Sequence, residues 1–143
     1  MDVWSNDGFD IVIGNPPHGA DIKKYKDYIE DHYRFYETRK NSASLFIETG
    51  FNLLKEKGIL SYVIPKSITY VDSWERTRKV VYKENKLLTL IDISKAFENV
   101  KLEQVILISQ KIKEKSYFYR AGDFWNDNIE IINDVNSEII EKL

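Results

Sequence analysis

Phe9 to Ile13 is an almost unbroken apolar run, interrupted only by Asp10, and the chain halts it with Gly14, Asn15, Pro16 and Pro17. So short and uniform a run reads as a strand buried on both faces, as in a parallel sheet. Prolines bring no N–H to a sheet ladder, and Pro16 turns Asn15 away from helix. The strand therefore ends in a stiff polar elbow. A strand of this kind demands neighbours on either side, so the rest of the chain must supply them.

Downstream, apolar periodicity switches repeatedly. From Asp21 to Thr38, Tyr25, Tyr28, Ile29, His32, Tyr33 and Tyr36 recur at spacings of three and four, which predicts a helix with these residues on one packed face. A second helix is capped by Asn41, Ser42 or Ser44. Its apolar side comprises Phe46, Ile47, Gly50, Phe51 and Leu54, with Lys55 and Lys57 near its end and Gly58 placed to leave it. Ile59 to Ile64 then reads as a strand closed by Pro65. A further helix runs from about Ser73 to Lys83, with Asp72 and Glu75 as a capping box and Trp74, Val80 and Val81 facing a sheet. Leu87 to Ile93 and Gln104 to Ser109 are the last strands. Their connection of about ten residues is too short for a helical crossover, so they should be antiparallel neighbours. The alternation predicts a mostly parallel α/β sheet with helices on its faces, ending in an antiparallel hairpin. After Lys111 the periodicity gives way to charge, asparagine and aromatics, and no strand is expected there.

Composition excludes several classes. With no cysteine there is no disulfide, thiolate nucleophile or cysteine metal site, and His18 and His32 are the only histidines, so no metal cofactor is expected. The net charge of -2 does not support a strongly basic nucleic-acid binder, though a local basic face is compatible with it. Lys23, Lys24 and Lys26 can meet phosphates or merely face solvent. No apolar run approaches the ~20 residues of a membrane-spanning helix. A soluble cytoplasmic protein is the expectation.

The elbow carries the clearest chemistry. Ligands of open α/β sheets bind beyond the carboxyl ends of the strands, which is where Asn15 to His18 should lie. The Asn15 side-chain oxygen and the Pro16 carbonyl are two convergent acceptors, suited to an amine with two hydrogens. His18 adds a flat ring and a titratable nitrogen. The alternative is a plain turn in which Asn15 bonds its own backbone.

"NPPH" at the end of "FDIVIG" resembles motif IV of the S-adenosylmethionine-dependent methyltransferases acting on adenine N6, usually Asn, Asp or Ser followed by Pro-Pro and Tyr, Phe or Trp. "SLFIETGFNLLKEKGILSYVIPKS" is similar to their strand-five unit and "DISKAFENVKLEQVILISQK" to their final hairpin. The nearest likeness is to methylase subunits or domains of restriction-modification systems. The resemblance implies a partial Rossmann-like methyltransferase sheet in residues 1–111, with 112–143 a tail or the start of a following segment. It places strand 104–110 between 59–64 and 87–93. It also implies methyl transfer to adenine N6 in DNA, with the base flipped out. Asn15 and Pro16 would hold the amine, Pro17 would stiffen the loop, and His18 would stack on the base. Phe97 would close the other face, or else anchor the hairpin loop in the core. His18 departs from the usual aromatic, which leaves glutamine side chains or RNA adenine open as substrates. The family's glycine-rich cofactor loop is not found in the sequence. The expectation is therefore a C-terminal catalytic portion, inactive alone and prone to self-association, that works with a cofactor-binding part and a target-recognition domain. A non-catalytic partner-binding module is the alternative.

Overall fold

Six segments pair into one mixed sheet in the computed structural model, which describes residues 7–34, 42–96, 102–125 and 127–138. The strands are β1 (Phe9–Gly14), β2 (Leu54–Pro65), β3 (Lys86–Asp92), β4 (Gln104–Gln110), β5 (Phe118–Trp125) and β6 (Asn128–Asn136), in the order β1-β2-β4-β3-β5-β6. β1, β2, β3 and β5 run parallel; β4 and β6 run against them. As expected, β4 inserts between β2 and β3 and is antiparallel to both, because the short link from β3 lets it fold straight back. This is an open, Rossmann-like mixed sheet.

The helices are α1 (Lys26–His32), α2 (Ser42–Leu53) and α3 (Glu75–Lys79), the last continuing into a π-type turn over Val80–Glu84. Alternation in the strands sends Leu60, Tyr62 and Ile64 of β2, Leu87 of β3, and Val105 and Leu107 of β4 into one core. There they meet Ala43, Ile47 and Phe51 of α2, and Trp74, Val80 and Val81 around α3.

Four expectations are corrected. β1 is not buried on both faces: it lies at the sheet's edge, with Ile11 56% and Ile13 77% exposed, and only Val12 packs against the core. Among the described residues nothing pairs its second edge. The described part of the tyrosine-rich segment, as far as Arg34, forms one 3₁₀ turn (Lys23–Tyr25) and α1, whose sole buried residue is Ile29. Tyr25 and Tyr28 are exposed, and Tyr28 stacks on His32 at 4.1 Å between ring centroids; Tyr36, like Asn41, lies outside the described residues. The capping box is not made: no side-chain cap bond forms around Asp72 or Glu75, and Glu75 instead accepts from Lys79 Nζ at 2.6 Å. Finally, the segment after Lys111 does form strands. β5 pairs parallel to β3, and β6 folds back on it through a bulge at Ala121/Gly122.

A smaller difference concerns the end of α2. The helix stops at Leu53 and Leu54 already belongs to β2, so Lys55 and Lys57 sit in the strand's lead-in rather than in the helix's last turn.

Candidate active site

β1 and β2 run parallel, so Gly14 and Pro65 lie at the same end of the sheet, together with the end of β3 and the start of β4. The elbow projects from this end. Its base is set by Tyr62, which pairs with Gly14 across the strands. A Cβ on Gly14 would lie 3.2 Å from Tyr62 Cε1, and one on Gly50 of α2 would lie 2.8 Å from the Tyr62 hydroxyl. The tyrosine thus fills a slot left by two absent side chains, locking strand end to helix. Burial pushes its phenol pKa up, so it stays neutral.

The far side of the elbow is tied down as well. Ser42 Oγ, buried at the start of α2, donates to the Pro17 carbonyl at 2.6 Å. Pro16 is buried between these anchors while Asn15 is exposed. The Asn15 side chain makes no hydrogen bond among the described residues, so its amide is not spent on a local turn. His18 is half-buried, and its Nδ1 is shielded from solvent without a hydrogen-bond partner among the described residues. The four residues of the elbow are therefore together at the strand end; Phe97 lies outside the described residues.

The same end carries an ion-pair cluster that the sequence reading missed. Lys66 Nζ, directly after β2, lies 2.7 Å from Asp92 Oδ2 at the end of β3 and 3.9 Å from Glu103. Burial would raise the Asp92 pKa, but bonds from Lys66 and Ser94 outweigh it and hold the carboxyl below its ordinary value. The bond to Asp92 raises that of Lys66 despite partial burial. The available signal was a lysine after a strand-closing proline, paired with an aspartate closing the next parallel strand. On the helix side, Lys26 is engaged with Glu30 at 3.7 Å, and Lys24 lies over the Tyr25 ring at 4.8 Å. No group of three metal-ligating residues occurs among the described residues, and no helix there is long and apolar enough to cross a membrane.

The sheet defines a class, the open Rossmann-like methyltransferase fold. Solved structures share it: the type IIG restriction endonuclease BpuSI (TM-score 0.76, 16% identity, 99% of this chain and 21% of that one) and a type I methyltransferase subunit from Streptococcus thermophilus (TM-score 0.62, 21% identity, 95% and 30%). The model of the Eco57I restriction-modification methylase family matches residues 1–99, and the chain belongs to that family. Relatives include the type II restriction enzyme and methyltransferase RM.Eco57I of Escherichia coli, 29% identical over 129 residues that are 84% of this chain and 13% of that protein. The type II methyltransferase M.TthHB8I of Thermus thermophilus is 25% identical over 120 residues, 76% of this chain and 28% of its own length. The chain thus spans a minor part of each.

Proposed function

We propose that this segment is the amine-binding side of the active site in a restriction-modification methylase that methylates adenine N6 in DNA. The observation that carries the reading is the elbow itself, anchored through Tyr62 and Ser42 yet leaving the Asn15 amide unpaired at the strand end. Asn15 Oδ1 and the Pro16 carbonyl accept the two hydrogens of the exocyclic amine. They draw electron density onto its nitrogen and stabilise positive charge developing there. His18 lies against the flipped base.

S-adenosylmethionine would supply the methyl group. The described residues do not fit it: the elbow's acceptors are assigned to the amine, and the glycines with positive φ, Gly8 and Gly19, form no cradle, Gly19 facing open space. Cofactor binding is assigned to another part of the enzyme, and sequence readout to a target-recognition domain.

In the enzyme containing this segment, Asn15→Ala should lower turnover by roughly 10²–10³ with DNA affinity little changed, since the contact strengthens mainly in the transition state. Mass spectrometry of the product should find N6-methyladenine. Near-normal turnover, or methylated glutamine or RNA instead, would refute the proposal. A second reading, a non-catalytic pairing module, draws on the open edge of β1; methyl transfer lost on Asn15→Ala excludes it.

A further inference from the structure

Away from the elbow, a cleft of about 350 Å³ is bordered by Tyr70, Asp72, Arg78, Tyr82, Leu90 and Tyr119. Four elements build it. Tyr70 and Asp72 come from the loop leaving β2, Arg78 and Tyr82 from α3 and its π-type turn, Leu90 from β3 and Tyr119 from β5. Tyr82 is 8% exposed, yet its hydroxyl makes no hydrogen bond among the described residues, and the same holds for the hydroxyls of Tyr70 and Tyr119. Hydroxyls on a cleft wall without a protein partner are free to bond a ligand.

The donors are of one kind. Burial raises the pKa of Tyr82 and of Tyr119, so both hydroxyls remain protonated. Arg78 Nη1 donates to the carbonyls of Ile68 (3.1 Å) and Val71 (2.6 Å), which fixes the guanidinium; among the described residues no carboxylate reaches ion-pair distance of it, and Glu75 acts on it only through its charge at longer range. Asp72 is exposed, where water screens its opposing charge. Phenol hydroxyls around a held guanidinium match the oxygens of a phosphodiester. An apolar ligand would leave the hydroxyls unpaired, and a cation would meet Arg78.

Resting on the DNA reading above, we infer that this cleft seats a backbone phosphate of the substrate DNA, outside the nucleotide held at the elbow. β3 and β5 stand three and four places from β1 in the sheet. At ~4.8 Å per strand that is roughly 14–19 Å from the elbow. The separation corresponds to about four to six base steps at ~3.4 Å each. Such a contact fixes register without reading sequence.

The test uses the full chain, isotope-labelled and titrated at low salt with a short DNA duplex and, separately, with inorganic phosphate. Duplex should shift resonances around Tyr70, Tyr82 and Tyr119, and the double Tyr82→Phe, Tyr119→Phe variant should bind about tenfold more weakly while remaining folded. Unchanged affinity in the double variant, or no duplex binding, would overturn the inference, as would inorganic phosphate saturating as tightly as duplex. Shifts confined to residues 15–19 would overturn it too, while leaving the methylase proposal standing on its own product assay.

Discussion

Asn15 matters because the fold leaves it unspent, and that depends on residues that do no chemistry. Gly50 is one. Alanine is favoured over glycine in a helix by about 1 kcal/mol. Here, however, a Cβ would come within 2.6 Å of Leu60 Cδ1 and 2.8 Å of the Tyr62 hydroxyl. Forcing an extra methyl into a packed core costs about 1–3 kcal/mol, so crowding outweighs propensity and Gly50→Ala should destabilise the protein. A thermal melt checks this; a raised midpoint would mean that Tyr62 can move and does not clamp the elbow. Of the elbow itself, the turn and its residue types were legible in the sequence, because prolines act locally. Its anchor was not, since Ser42 and Pro17 are 25 positions apart and a serine near a helix start reads first as a cap.

Between elements, polar bridges hold the strand ends in register. Lys66 and Asp92 tie β2 to β3 across β4, and both are about two-thirds buried or more. The depressed pKa of Asp92 gives stability that is present above its unfolded value near 3.9 and is lost as pH falls through the folded one. The raised pKa of Lys66 gives stability present below its unfolded value near 10.4 and lost as pH rises through the folded one. A double-mutant cycle with Lys66→Met and Asp92→Asn should therefore show a coupling of roughly 1 kcal/mol at neutral pH that vanishes in acid. A coupling independent of pH would refute the pairing.

At the opposite end, the Tyr117 hydroxyl donates to the Tyr82 carbonyl at 2.9 Å and accepts from the Leu87 N–H at 3.2 Å, joining the π-type turn to β3. Tyr117→Phe would strand both backbone groups and should cost about 1–3 kcal/mol, measured by denaturant unfolding. Periodicity places helices and strands well enough to order them, but it carries no trace of a bridge of this sort.

Over the whole molecule, the sheet's open edge is the dominant feature. β1 offers an unpaired ladder among the described residues, with Phe9, Ile11 and Ile13 exposed along it, and such edges seek partners. Sedimentation of the chain should show concentration-dependent self-association, weakened by Ile13→Lys; a monomer at all concentrations would show that this edge is protected. The strands after Lys111 do not cover this edge, since β5 and β6 pair at the other side of the sheet.

By itself the sequence determined the order of strands and helices, the antiparallel return of β4 and the place of the elbow, because each follows from short-range sterics, apolar period or loop length. The strand order came from the resemblance, and pairing in the fold agrees with it. Only the tertiary structure decided which strand lies at the edge, since an apolar run looks the same whether or not a neighbour covers it. The strands after Lys111 also belong to tertiary structure: β6 is largely exposed, so no buried face imposes a legible alternation, and β5 is recruited by pairing with β3. The cleft at Tyr82 is of the same kind, assembled from four elements that no local pattern connects.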